Sequence, residues 1–227
     1  MTWTSSITRF REPQGALRMT HFLQILDRFP PGRLLDLGAG HGMFAQLAAD
    51  AGWEATAVDA RDERFPQDAR VTWLKQDIRE VDTSGFDLVC ALGLWYHLTL
   101  DDQLGLARKC SGVPLMIDTH IAMVDDKSHH KHTKRLTRIK SDQGYEGRLY
   151  FEGDLQDRFT ASFKNENSFW PTEDSLRREL KSAGYDTVET FDPPIAPDRR
   201  YFLATKIGDD RGKRLDELIN KYIPITS

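Results

Sequence analysis

Apolar residues in this chain come in short runs of five to seven, several of them closed by an acid or a glycine, and these runs are interspersed with stretches of helical spacing. Residues 33–37, 53–59, 71–76, 86–91, 114–119, 187–191 and 201–206 read as strands. Residues 20–28, 43–51, 101–110 and 173–183 place apolar side chains at the three-to-four spacing of an amphipathic helix. Thr99 or Asp101 can cap the third helix and Thr172 the fourth, where Glu173 and Asp174 favour the N-terminal dipole. Gly184 then stops it. Strands alternating with helices predict an α/β fold with a mostly parallel, doubly wound sheet covered on both faces. Internal repeats are absent from the sequence, and residues 209–221 read as a charged C-terminal helix.

The first predicted strand breaks into a glycine turn. Residues 34–42 read LLDLGAGHG, with Asp36 closing the apolar run and Gly38, Gly40 and Gly42 at alternate positions. Such a strand–turn–helix lets backbone approach a ligand closely. A dinucleotide fingerprint would need its third glycine at position 43, which is Met43. The second run ends in Asp59, where a carboxylate suits a two-point grip on ribose hydroxyls. The third is followed by Asp77 and Ile78; Asp77 suits an adenine amino group and the Ile78 N–H a ring nitrogen.

With these residues in this order the chain resembles the class I S-adenosylmethionine (SAM) dependent methyltransferases. The resemblance is carried by DLGAGHG at 36–42, VDA at 58–60, QDI at 76–78 and FDLVCALGLWYHL at 86–98. It covers residues 34–119 well and 169–206 more loosely, and implies a Rossmann-like, seven-stranded sheet. It also implies that Asp36, Gly38 and Gly40 wrap the methionine and ribose part of SAM, that Asp59 and Ala60 hold the ribose, that Asp77 and Ile78 hold the adenine, and that Leu92 lies against the cofactor.

One stretch interrupts the alternation. Residues 121–169 carry the aromatics Tyr145, Tyr150, Phe151, Phe159 and Phe163, three glycines and many charges. An insertion of this length leaving the carboxyl end of the fifth strand reads as a substrate cap; the plainer alternative is a surface excursion with a hairpin around 144–147. We therefore expect one methyltransferase domain over 1–227 with a cap at about 121–169.

Methyl transfer to a hydroxyl requires loss of the hydroxyl proton, for which histidine is the best-suited side chain. His21 reads as structural, His41 as a shaper of the cofactor pocket, and His129, His130 and His132 as parts of a solvated basic run. His120, ending the fifth strand, is the lead candidate for general base, with Asp118 two residues earlier on the same strand face to orient it. His97 is the reserve base and Glu152 a third candidate. Tyr96, His97, Tyr150, Glu152 and Trp170 are the candidate acceptor-lining residues.

Composition narrows the classes. The 227 residues are 39% hydrophobic, enough for one sizeable core. A formal net charge of −4 provides no global pull toward nucleic acid. The basic run 127–140, KSHHKHTKRLTRIK, keeps RNA methylation as the alternative to a small-molecule acceptor, and a non-catalytic SAM sensor is the third class. Base-directed amine methylation is disfavoured because the fourth strand leads into ALGL rather than an Asx-Pro-Pro-aromatic sequence; the DPPI at 192–195 reads as a turn. Asp118, His120, Asp125 and Asp126 lie close in sequence, which leaves room for a divalent metal, but no motif fixes a ligand set. The start of the chain lacks a signal-peptide core, no run has membrane-span length, and neither Cys90 nor Cys110 sits in a C-x-x-C pair, so the expected location is the cytoplasm. Oligomeric state is not legible.

Overall fold

Strand β1 (Arg33–Leu37) and strand β4 (Leu88–Leu92) are buried almost throughout, as are β5 (Leu115–His120) and the second half of β2 (Glu54–Asp59). Near-continuous apolar strands are what a parallel sheet covered on both faces requires. The computed structural model describes residues 13–124, 134–153 and 162–206. In it β1, β2, β3 (Val71–Lys75), β4 and β5 pair in parallel, and two later strands add antiparallel at one edge, giving the order β3-β2-β1-β4-β5-β10-β9. Strand β10 (Arg199–Thr205) pairs with β5, and β9 (Thr187–Ala196) with β10.

Period-two alternation divides the core. Leu35, Leu37, Val89, Ala91, Leu115 and Ile117 face helices α3 (Leu100–Cys110) and α4 (Glu173–Ser182); Leu34, Leu88, Cys90 and Met116 face α1 (Pro13–Leu26) and α2 (Met43–Asp50). The caps fall where hydroxyls were available. Thr99 accepts a bond from the Asp102 N–H at 3.1 Å, and Thr172 from the Ser175 N–H at 3.2 Å.

The insertion after β5 contains a second, three-stranded antiparallel sheet, β6 (Lys140–Asp142), β7 (Tyr145–Phe151) and β8 (Asn167–Pro171). Gln143 and Gly144, both at positive φ, make the two-residue hairpin turn. The small sheet is fastened to the segment and helix that follow β4: Phe169 N–H donates to the Leu98 carbonyl at 2.8 Å, and Gln103 Nε2 donates to the carbonyls of Phe169 (2.7 Å) and Trp95 (2.9 Å).

Two expectations are corrected. The first described helix runs from Pro13 rather than Thr20, with proline in a first-turn position that needs no donor. The DPPI stretch is not a turn but part of β9, where an edge position tolerates proline and the register to β10 shifts between the Ala196–Arg199 and Phe191–Tyr201 pairs. The expected C-terminal helix at 209–221, residues 127–133 of the basic run, Asp125, Asp126, Phe159 and the three clustered histidines lie outside the described residues. No described helix is long and apolar enough to cross a membrane.

Candidate functional site

The chain reverses its lateral direction between β1 and β4, and open α/β sheets place their ligand crevice at the carboxyl ends of the strands flanking such a point. A cleft of about 200 Å³ lies there. Its floor is the glycine turn. Gly38 (φ 67°) leaves no room for a side chain, because a Cβ would sit 2.8 Å from Leu94 Cδ1. Gly42 (φ 66°) caps α2, and a Cβ there would collide with the Trp73 ring at 2.2 Å. The turn is tied to the second strand through Asp59, which accepts from the Gly40 N–H at 2.9 Å and the Arg61 N–H at 3.0 Å.

Of the residues assigned to the cofactor, Gly38, Gly40, Asp59, Ala60, Asp77 and Ile78 line this cleft. Asp36 lies buried below the turn, with one carboxylate oxygen lacking a hydrogen-bond partner among the described residues. Burial and the nearby Asp59 charge raise its pKa to about 7. Leu92 is buried at the end of β4. Asp77 accepts from Arg79 twice, from its N–H at 3.1 Å and from Nη1 at 2.9 Å.

Tyr96 and His97 also line the cleft, on a 3-10 turn that follows β4. His97 Nδ1 lies 3.0 Å from Oε1 of Glu152, a carboxylate only 1% exposed at the end of β7. Glu152 also accepts from Ser168 Oγ at 3.1 Å and Ser162 N–H at 3.4 Å. Tyr150 and Trp170 stack with ring centres 5.3 Å apart, and Trp170 stacks on His120 at 4.8 Å; none of these three is among the residues lining the cleft.

The expected pairing of Asp118 with His120 is not what the structure shows. Asp118 is fully buried and accepts from Arg18 Nε at 2.6 Å and from Arg199 Nε and Nη2 at 2.7 and 2.8 Å. Burial raises its pKa, the two guanidiniums outweigh that, and the group is held at about 2. At the strand end the His120 ring turns instead to Asp198, whose Oδ2 is 3.2 Å from Nδ1. Burial lowers the His120 pKa, with Asp198 opposing the shift. His21 is buried, with Nε2 2.8 Å from the Pro193 carbonyl, as a structural histidine should be. His41, expected to shape the cofactor pocket, is exposed and is not among the residues lining the cleft.

Residues beyond the motifs complete the site. Ser162, Phe163 and Asn165, from the insertion, line the cleft beside Arg61, Arg64 and Arg79. Arg79 bonds the Phe163 carbonyl (3.1 Å), Asn165 Oδ1 (3.3 Å) and Asp102 (3.1 Å), and the Arg61 guanidinium lies 5.4 Å from the Phe163 ring centre. Arg61 and Arg79 each stand two residues after a motif acid, a signal the sequence did contain. Arg18, Asp198 and Arg199 carried none. Among the described residues no group of three or more histidines, cysteines or acids is placed to hold a metal ion.

A sheet of this order with a glycine turn at its switch point, strand-end acids on the second and third strands and a ligand-sized cleft defines a Rossmann-like, class I methyltransferase fold. A family model described as a methyltransferase domain matches residues 9–190, and the chain belongs to that family. No curated protein matches it in sequence. Among solved structures it is similar to the N-terminal domain of EvdMO1 with S-adenosylhomocysteine (SAH) bound, at TM-score 0.64 and 18% identity over 85% of this chain and 83% of that one. It is also similar to the glycopeptide N-methyltransferase MtfA complexed with SAH, at TM-score 0.56 and 17% identity over 82% and 86%. A third is the Burkholderia thailandensis 1,6-didemethyltoxoflavin-N1-methyltransferase, at TM-score 0.51 and 19% identity over 86% and 76%. At these identities the likeness establishes the fold.

Proposed function

We propose that the protein is a SAM-dependent methyltransferase that methylates a hydroxyl of a small molecule, a sugar or a secondary metabolite, with a histidine as general base. The residues present fit SAM. The cradle at Gly38 would be filled by any Cβ, and Asp59 and Asp77 stand on neighbouring strand ends, the spacing on which the family resemblance rests. Solved neighbours of this fold were crystallised with SAM or its product, in support of the same cofactor here. When bound, SAM supplies a methyl group already activated on a sulfonium.

The observation that carries the acceptor class is the His97–Glu152 pair. A carboxylate can only accept, so its bond to Nδ1 fixes the N–H on that atom and leaves the lone pair of the neutral ring on Nε2. His97 lines the cleft, whereas His120 does not and is engaged with Asp198 and Trp170. The base role expected of His120 therefore moves to His97. In this reading Nε2 takes the hydroxyl proton as the oxygen attacks the methyl carbon, and Glu152 stabilises the resulting imidazolium. The insertion, fastened to the 3-10 turn through Trp170, supplies that carboxylate and the lining residues Ser162, Phe163 and Asn165 from between β7 and β8, the work of a cap.

The test is transfer from methyl-labelled SAM to a panel of sugars, phenols and total RNA, with SAH binding measured alongside by calorimetry. Label on a hydroxyl oxygen of a small molecule is the expected result. Label only on amines, or only on RNA, would overturn the acceptor class, and SAH failing to bind would overturn the cofactor.

A further inference from the structure

Among the described residues three arginines line the cleft, and two of them are engaged. Arg79 closes on Asp77 at 2.9 Å and also donates to Asp102, the Phe163 carbonyl and Asn165; Arg61 Nη2 donates to the Ser162 carbonyl at 3.3 Å. Arg64 is not held in this way. Its side chain is only 16% exposed, its Nε is buried with no hydrogen-bond partner among the described residues, and its ion pair with Asp59, 3.8 Å from Nη2 to Oδ2, is too long for a hydrogen bond. Burial lowers the Arg64 pKa, Asp59 and Glu63 oppose that shift and Arg61 adds to it, and a guanidinium stays charged at neutral pH throughout. Asp59 is close enough to balance this charge but too far away to accept from it. What the group lacks is an acceptor, and buried N–H donors without one are costly.

The place of these donors says what would meet them. Arg64 lies against the glycine turn, where a Cβ built on Gly40 would be 3.5 Å from Nη1. Asp59 accepts from the Gly40 N–H through Oδ2 and from the Arg61 N–H through Oδ1, which leaves each carboxylate oxygen able to accept once more. One strand over, Arg79 and Asp77 meet directly; between Arg64 and Asp59 the gap leaves room for an oxygen bonded to both. A hydroxyl suits that gap, because it donates its proton to the carboxylate and accepts from the guanidinium. A carboxylate there would be repelled by Asp59, and an ammonium by Arg64.

We propose that Arg64 is a ribose-binding residue: with SAM bound, one ribose hydroxyl donates to Asp59 and accepts from Arg64. The proposal rests on the methyl-transfer reading and adds to it a residue that stands outside the motif acids. It makes the end of the second strand a paired reader of the sugar, a carboxylate for the hydroxyl protons and a guanidinium for a hydroxyl lone pair. A ligand lacking that hydroxyl would leave both buried groups short of a partner, so the pair also gives selectivity for ribose over deoxyribose.

Calorimetry compares SAH, 2′-deoxy-SAH and 3′-deoxy-SAH on the wild type and on Arg64→Met, which keeps much of the side-chain length and removes its donors. Arg64→Met is expected to weaken SAH by roughly ten- to hundredfold, the range for a hydrogen bond to a charged group. The wild type should bind at least one deoxy analogue more weakly than SAH, and that penalty should shrink by about threefold or more in Arg64→Met, as it does for groups in contact. An SAH affinity within about threefold of wild type in folded Arg64→Met would overturn the proposal, the donors then being met by water. So would weakened SAH binding with both deoxy penalties unchanged, since Arg64 would then only place Asp59. Deoxy analogues that bind the wild type as tightly as SAH would overturn it too. If Arg64→Met does not fold, as judged by its melting curve, Arg64→Gln decides by the same comparisons. SAH failing to bind the wild type would instead strike the methyl-transfer reading itself.

Discussion

Replacing Glu152 by glutamine tests the base while keeping the shape of the site. The side chain is 1% exposed and receives three donors, His97 Nδ1 at 3.0 Å, Ser168 Oγ at 3.1 Å and Ser162 N–H at 3.4 Å. Glutamine retains one acceptor oxygen and nearly the same volume but loses the charge. A hydrogen bond to a charged group contributes about 1.5–3 kcal/mol and a neutral one about 0.5–1.5. The imidazolium formed in the transition state therefore loses roughly 1–2 kcal/mol, which is about a 5- to 30-fold fall in the transfer rate. His97→Ala removes the base itself and should cost about 10²–10⁴-fold. The measurement is single-turnover methyl transfer from labelled SAM at saturating cofactor and acceptor, across pH. The fall in Glu152→Gln should be in kcat rather than KM, with SAH affinity kept. In wild type the rate should climb with pH as a histidine base becomes free to accept, and that climb should be missing in His97→Ala. A double variant gives the decisive comparison. If Glu152 acts through His97, His97→Ala with Glu152→Gln should be no slower than His97→Ala alone, within about threefold. Two losses that multiply would show that Glu152 only supports the fold, and a His97→Ala rate within about threefold of wild type would remove the base from His97.

Asp59→Ala should raise the SAH dissociation constant by about ten- to hundredfold, the loss of a charge-assisted contact, with calorimetry as the check and an unchanged constant as the contrary result. Gly42→Ala should unfold or markedly destabilise the protein in thermal melts, because φ is 66° and the new Cβ would meet the Trp73 ring. Glu179, fully buried on α4, has its pKa raised by burial to about 8, with Trp95 and Arg178 only partly offsetting the shift. The unfolded chain therefore releases this proton at lower pH than the native one, and the group subtracts stability increasingly as pH rises from about 4.5 to about 8. Glu179→Gln should melt higher than wild type at pH 8, with the gap closing by pH 4, and a gap independent of pH would refute the account.

The sheet and the glycine turn were legible in the sequence because both are local. An apolar run closed by an acid specifies a strand and a carboxylate near its tip, as at Asp59 and Asp77, which line the cleft, whereas Asp36 lies buried below the turn. Alternate glycines specify a turn that no other residue could make, as the contacts at Gly38 and Gly42 bear out. Boundaries were less legible: Trp170-Pro171 and the DPPI stretch carry turn-like letters but lie in strands, because the small sheet and a tolerant sheet edge override local propensity. What only the tertiary structure decided was which polar groups meet. Asp118 and His120 are two residues apart on one strand, yet Asp118 goes to Arg18 and Arg199, 100 and 81 positions away, and His120 to Asp198, 78 positions away. His97 likewise meets Glu152 across 55 residues, through the small sheet. A buried charge needs partners of the right sign at about 3 Å, and strand order and register, rather than nearness in sequence, bring those partners within reach.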